Sequence, residues 1–465
     1  MLRLLLVGLC YLAGTVLASG SATLGACLFL WNDIFRPLSF AHANGRYPVA
    51  WYVLFVLLGS YAVNLARGRF RPQFGVFFVW FLVLMAWVAV TWAASPFKIP
   101  ATAEFVRMQK YLLPLILIYT CMRHQGDIEK VAGTLSASVM VWAAQAGVIC
   151  LITGPRIDLG IEGGQMSDRN DFTAGIVGTL PWIIYFIWSY DWKFKRAVRA
   201  GLALILALSL VAIVMSLSRG ASVGLGATIL CYIAFISRKK ARDLAVVAVL
   251  LGVVLAALPQ AWWDRMATIE VGKDQKEGSA RNRMALMMGA WQATLARPLT
   301  GWGPDGWLQV VDIYGDGGHS PHNIYLKVSS EFGLPGLALY LAVLVGTVWR
   351  LQRLQIRAAR LGQARAARLA IAFAVGIIGL MATMTFLNMP FNEYLWAWVV
   401  LGNAFCERYR PAVPRRATGT GAKPARALLP GLRAGPPARG TPANGRPGGD
   451  AGKPRPLPSK RPPGR

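Results

Sequence analysis

The sequence predicts an all-α polytopic membrane protein of about twelve transmembrane helices, and three observations carry that prediction. Hydrophobic residues make up 55% of the 465 and charged residues only 15%, with a mean hydropathy of +0.44. A soluble globular domain does not sustain that balance. Apolar runs recur that approach the ~20 residues needed to cross a bilayer. Basic residues, finally, alternate strictly between the connections.

In chain order the predicted spans are 4–31, 49–65, 76–94, 103–120, 131–153, 172–188, 200–217, 221–236, 243–258, 334–349, 367–386 and 392–406. The first contains Arg3, an apolar stretch and the small residues Ala18-Ser19-Gly20, which together resemble a signal peptide. Apolar character resumes through Leu24–Trp31, so the run reads as an uncleaved anchor. Alternate connections carry Arg67, Arg69 and Arg71, then Arg123 and Lys130, then Lys193, Lys195, Arg196 and Arg199. The series continues with Arg238, Lys239, Lys240 and Arg242, and closes with six arginines between Arg350 and Arg368. The opposite connections hold only Arg36, Arg46, Lys98, Arg156 and Arg169. Excess Lys and Arg marks the cytoplasmic side, so both termini are expected there.

Net charge is +28, and it is unevenly placed. Residues 411–465 hold 12 Lys and Arg, one acid and 13 of the 27 prolines. Such a segment buries no core, so the expected division is a membrane domain over 1–409 and a disordered basic Pro/Gly-rich cytoplasmic tail over 410–465. Cys10, Cys27, Cys121, Cys150, Cys231 and Cys406 stand singly beside apolar runs, with no CxxC or disulfide framework. No metal site, cofactor or nucleic-acid partner is expected.

Polar chemistry concentrates on the external side. The connection 153–171 holds Arg156, Asp168, Arg169 and Asn170, and a long segment covers about 259–333. Within it, 280–299 reads as an amphipathic helix with Met284, Met287, Met288, Trp291 and Leu295 on one stripe, ended by Pro298 and Gly301. The Gly-rich stretch 302–321 reads as turns. Gly301-x-Gly303-x-x-Gly306 spells a dinucleotide fingerprint but lacks the flanking strand and βαβ unit, so it too reads as a turn.

Polar groups at the edges of spans are costly and tend to mark sites. Arg219 sits in a tight external break, Ser218-Arg219-Gly220-Ala221, where a guanidinium offers several donors to a phosphate. Its plain alternative is a snorkelling interfacial arginine. Gly220 and Gly224 form a small-xxx-small pair that lets the following helix approach a neighbour. Arg281 and Arg283 open the amphipathic helix, where a helix N-terminus favours anions, or else serve as solvated loop charges. Arg265 follows Asp264 and reads first as its ion-pair partner. Arg107 and Lys110, one turn apart with Glu104 before them, either line a cavity or form a self-neutralised cluster. His322, in His319-Ser320-Pro321-His322-Asn323-Ile324-Tyr325-Leu326, lies at the water–membrane boundary. With an unperturbed pKa of ~6.5 its imidazole suits removal of a hydroxyl proton, though a loop histidine is more often structural. His319 has the lesser claim.

Taken in order, Ser218-Arg219-Gly220, Arg283…Trp291…Pro298-Leu299-Thr300-Gly301 and His322-Asn323-x-Tyr325-Leu326…Glu331-x-Gly333-x-x-Gly336 carry a resemblance. They resemble the O-antigen ligase and O-antigen polymerase superfamily of bacterial inner-membrane glycosyltransferases, over roughly residues 20–405. Asp264-Arg265-Met266, Arg297-Pro298-Leu299-Thr300-Gly301 and the Trp31–Phe40 segment look closest to a probable O-glycosylation ligase subgroup associated with exosortase systems. The resemblance implies a GT-C-like, metal-independent enzyme with a periplasmic active site and an undecaprenyl diphosphate-linked glycan as donor. It implies that Arg219 and Arg283 contact the diphosphate and that His322 is the base toward the acceptor hydroxyl. Arg265, Asn170, Arg107, Lys110, Asn323 and Tyr325 are the further candidates for substrate binding. The implied acceptor is lipid A-core, a protein hydroxyl or another glycan, the last making the enzyme a polymerase; membrane lipids are its surroundings. From other classes, a lipid-linked sugar transporter or flippase also suits twelve spans, and so does an assembly scaffold. Against the transporter, the candidate groups gather at the external boundary instead of the bilayer midplane.

Overall fold

The computed structural model describes residues 2–43, 47–156, 158–162, 164, 166–190, 194–237, 239–256, 260, 263, 280–315 and 319–409. These residues are helical, with no strand among them. Arg265 and the segment 410–465 lie outside the described residues.

The order is α1 (Leu2–Gly20), α2 (Ala22–Phe35), α3 (Pro37–Phe40), α4 (Val49–Ala66), α5 (Val76–Ala94), α6 (Lys98–Cys121), α7 (Gln125–Thr153) and α8 (Arg169–Ser189). It continues with α9 (Lys195–Met215), α10 (Arg219–Ile236), α11 (Lys240–Ala256), α12 (Ala280–Ala296), α13 (Gly306–Tyr314), α14 (Ile324–Arg360), α15 (Ala364–Met384) and α16 (Glu393–Arg408). Among the described residues, nine helices are long and apolar enough to cross a membrane: α1, α4, α5, α7, α8, α9, α10, α14 and α15. The predicted spans at 103–120, 243–258 and 392–406 correspond to α6, α11 and α16, which miss that mark. α11 has 17 residues and α16 has 16, while α6 carries Lys98, Glu104, Arg107 and Lys110.

The expected first span, 4–31, is two helices. Ser21 takes an extended conformation (φ −158°, ψ 124°), and the chain reverses there. Tyr11 meets Trp31 with ring centroids 5.4 Å apart, and its hydroxyl donates to Asn32 Oδ1 at 2.6 Å. A methylene on Gly14 would touch Leu28. Each pair is centred on Ser21, so α1 and α2 form an antiparallel hairpin. Continuous apolarity hid the reversal, because a turn of small residues inside an apolar run changes neither composition nor period.

This hairpin corrects the expected placement of both termini on one face. Arg3 bonds His42 at 3.1 Å, beside the end of α2 where Trp142 donates to the Phe35 carbonyl and Ser39 to that of Glu162. At the other end of α4 and α7, Arg408 donates to the carbonyls of Met122 and Tyr119. Residues 3 and 408 therefore occupy opposite ends of the bundle.

Burial identifies the centre. In α15 and α8, 78% and 72% of the apolar window is buried, against 17% in α1 and α9. Trp182 of α8 stacks on Trp398 of α16 and meets Phe373 of α15 edge-on, both at 4.7 Å. Such aromatic contacts add to the large apolar area the rings bury. α10 joins this core through Gly224, where any Cβ would collide with Thr383 Oγ1 of α15, so the small-xxx-small expectation holds.

Two details of the segment 280–333 go beyond the sequence reading. The stripe Met284, Met288, Trp291 and Leu295 of α12 is exposed, while Leu286, Ala290 and Ala293 turn inward. Their partners are Trp307, Val310 and Val311 of α13, a helix within the stretch read as turns. Burial of Trp307 against α12 holds that helix despite its glycine-rich flanks. The Pro298–Gly303 loop then docks on a break in α14 at Gly333 (φ 70°, ψ 179°). Leu334 N–H donates to Pro298 O at 2.8 Å, Trp302 N–H to Ser330 O at 2.9 Å and Gly303 N–H to Glu331 O at 2.8 Å. Gly301 and Gly303 have positive φ, as the turn reading requires.

Candidate functional site

Three helices begin at the same end of the bundle, and side-chain caps fix where each starts. Asp168 caps α8, accepting from Asn170 N–H at 2.7 Å. Ser218 caps α10, and its hydroxyl donates to Asn170 Oδ1 at 2.8 Å, which ties the two N-termini together. Asn323 caps α14, its Oδ1 accepting from the N–H groups of Tyr325 (3.0 Å) and Leu326 (3.1 Å). A helix N-terminus presents unpaired N–H groups and about half a positive charge. Several brought together favour an anion.

Arg219 is the first residue of α10 and is half-buried. The turn that delivers it puts Leu217 in the left-handed region (φ 57°). His322, just ahead of the α14 cap, is also left-handed (φ 48°) and half-buried. Non-glycine residues held there cost of order 1–3 kcal/mol each and cluster at functional sites. Arg283 of α12, His319 and Asp168 act electrostatically on the His322 ring. Burial pushes its pKa below the usual 6.5, Arg283 and His319 push the same way, and Asp168 opposes them. The lowered pKa favours the neutral ring, the form that takes up a proton.

The structure thus gathers Arg283, His322 and Asp168, and connects them through α8 to Asn170, Ser218 and the start of α10. Asn323 and Tyr325 serve the scaffold: Asn323 is the cap, and the Tyr325 hydroxyl donates to the Met381 carbonyl at 3.0 Å. Arg107 makes two bonds of 2.6 Å to Glu104, the self-neutralised arrangement, and Lys110 is exposed one turn away. Sequence reasoning missed Asn388, whose amide lies 3.1 Å from His322 Nδ1. The available signal was a polar residue in the short connection Leu387-Asn388-Met389-Pro390 between two apolar runs.

Asn388, Arg107 and Glu104 line a cavity of about 20 Å³, together with Lys327 and Glu331, an ion pair at 3.3 Å. Asp305, near this cluster, has its pKa raised by burial, with Glu104 adding and Lys327 and Arg107 opposing. A far larger cavity, about 850 Å³, lies at the opposite end of the bundle. Its guanidiniums are already engaged: Arg365 with Glu129, and Arg408 with backbone carbonyls. Among the described residues no three His, Cys, Asp or Glu side chains gather as metal donors.

Residues 202–341 match the family described as O-Antigen ligase. The matched stretch contains Arg219, Arg283 and His322, and it supports the superfamily resemblance read from the sequence. Residues 1–156 match a family of unknown function, DUF5935. No curated protein matches the chain.

Proposed function

We propose that this multi-pass membrane protein is a glycosyltransferase that moves a preassembled glycan from undecaprenyl diphosphate to an acceptor hydroxyl at the periplasmic face, with inversion and without a metal ion. The observation that carries this reading is the approach of three helix N-termini to His322 beside Arg283, of which the starts of α10 and α14, with Arg283 and His322, lie within the stretch similar to O-antigen ligases.

In this reading His322 removes the acceptor proton as the hydroxyl oxygen attacks the anomeric carbon from the face opposite the leaving group. The bond from that carbon to the diphosphate oxygen breaks, and negative charge grows on the diphosphate. Arg219, Arg283 and the helix N-termini stabilise that charge, most effectively where water is excluded. One displacement inverts the anomeric centre. The basic-loop count puts the reactive end in the periplasm and Arg408 in the cytoplasm, with Arg3 at the reactive end. A transporter would keep its charged groups near the midplane between helices, whereas these sit at helix starts. The acceptor in this reading is lipid A-core, a protein hydroxyl or another glycan, the last making the enzyme a polymerase.

The test is transfer from a lipid diphosphate donor in reconstituted membranes, with donor binding followed separately. His322→Ala is expected to lose ~10²–10⁴-fold in turnover and to retain donor binding. Arg219→Lys and Arg283→Lys keep charge but lose the planar fork, so both binding and turnover should weaken. Excess EDTA should leave activity in place. A correctly inserted His322→Ala protein with full transfer would refute the base assignment, and silencing by EDTA with rescue by a divalent ion would refute the metal-independent route.

A further inference from the structure

His322 Nδ1 faces the side-chain amide of Asn388 at 3.1 Å, and which amide atom it meets decides the chemistry of the ring. An asparagine offers an oxygen and an NH2 group of nearly the same shape, and its partners settle the orientation. With the NH2 toward the ring, Nδ1 must accept, so the proton of the neutral imidazole sits on Nε2. The nitrogen left for the acceptor would then carry a hydrogen and have no lone pair to give.

That orientation also leaves two buried oxygens without a well-directed hydrogen bond. Asn388 Oδ1 is one and Glu331 Oε1 is the other. Glu331 faces Lys327 Nζ at 3.3 Å, yet this oxygen completes no hydrogen bond. Both residues line the same cavity of about 20 Å³, which has room for one water. Unsatisfied buried polar atoms are rare, and two in one small cavity point to a single cause.

Turning the amide over resolves both. Asn388 Oδ1 then accepts from His322 Nδ1–H, and the NH2 enters the cavity toward Glu331, directly or through one water. We infer that Asn388 is a positioning residue that holds the His322 proton on Nδ1, anchored from behind by Glu331, and so leaves Nε2 as the free base toward the acceptor. In the step itself the acceptor proton goes to Nε2, the ring becomes an imidazolium whose Nδ1–H stays on Asn388, and the electron pair of the broken bond leaves with the diphosphate. The inference rests on His322 being the base. The charged groups that face the ring are Arg283 from α12, His319 from the loop before α14 and Asp168 from the start of α8. Across the cavity stand Lys327 and Glu331 of α14, and Glu104 and Arg107 of α6.

Two measurements test it. The chain has four histidines, so ring-¹⁵N labelling with a His322→Gln difference spectrum isolates this imidazole. Its neutral form should be the Nδ1–H tautomer; an Nε2–H tautomer overturns the inference whatever the activity. Kinetically, Asn388→Leu should lower turnover by about 10- to 100-fold, the usual effect of removing a histidine's orienting partner, with donor binding unchanged. Asn388→Asp still accepts from Nδ1–H and adds a negative charge. It should recover most turnover at alkaline pH while its acid limb moves upward. Wild-type turnover and pH profile in Asn388→Leu would overturn the inference. If His322→Ala keeps full transfer, the base reading itself has failed, an outcome distinct from an inactive His322→Ala with an untouched Asn388→Leu.

Discussion

Replacing Gly333 by alanine should undock the external segment from the membrane helices. Gly333 holds φ 70° and ψ 179°, a region open essentially to glycine alone, and another residue there costs about 1–3 kcal/mol. Its Cβ would also run into the Leu299 carbonyl oxygen and lie 2.8 Å from that of Pro298. Both are backbone atoms, so the loop must move. The bonds Leu334–Pro298, Trp302–Ser330 and Gly303–Glu331 then weaken, at about 1 kcal/mol net for each. The combined loss is about 4–6 kcal/mol. Hydrogen exchange followed by mass spectrometry reads it directly, because local opening sets amide protection. Protection at Trp302, Gly303 and Leu334 should fall by about 100-fold or more. Gly362→Ala is the control: its φ is 71°, but open space surrounds it, so only the backbone term of about 1–2 kcal/mol applies. Transfer should fall with Gly333→Ala, since Arg283 and His322 flank the undocked loop, and stay near wild type in the control. Indistinguishable exchange at the three amides in the two variants would refute the reasoning.

The remaining expectations concern pH, topology and the tail. His322 must be neutral to act and its pKa is lowered, so transfer should hold as pH falls to 6.5 and decline only below it. Arg283→Gln removes a positive neighbour and should raise the midpoint of that acid limb, whereas Asp168→Asn should lower it; shifts of the opposite sign in a pH–rate profile would reject the electrostatic account. In a cysteine-free background, Gly163→Cys, Gly317→Cys and Arg3→Cys should react with an impermeant thiol reagent in spheroplasts, while Lys195→Cys, Lys240→Cys and Arg360→Cys stay protected. Protection at 317 would overturn the assigned reactive face, and protection at 3 would overturn the hairpin. Deleting 411–465 should preserve insertion and most transfer, because the segment lacks the apolar residues for a core. A well-inserted truncation devoid of transfer would contradict that.

Much of this protein is legible without coordinates because membranes impose simple rules on sequence. A span must be apolar for ~20 residues and its flanking charges must sort by side. Composition and apolar runs alone therefore determined the helical membrane class. The ordered short motifs determined the resemblance that the match over 202–341 supports. Tertiary structure decided what depends on direction and on partners. A reversal at Ser21 leaves hydropathy unchanged, so only the Tyr11–Trp31 pairing revealed it and moved residue 3 to the opposite end from residue 408. The sequence marked an apolar stripe on α12 but not which face packs, and Leu286, Ala290 and Ala293 took the inward positions against α13. Asn388 lies 66 residues from His322 in the chain. No spacing rule links the two; they meet because α15 returns alongside α14 and delivers the Asn388 loop to the ring.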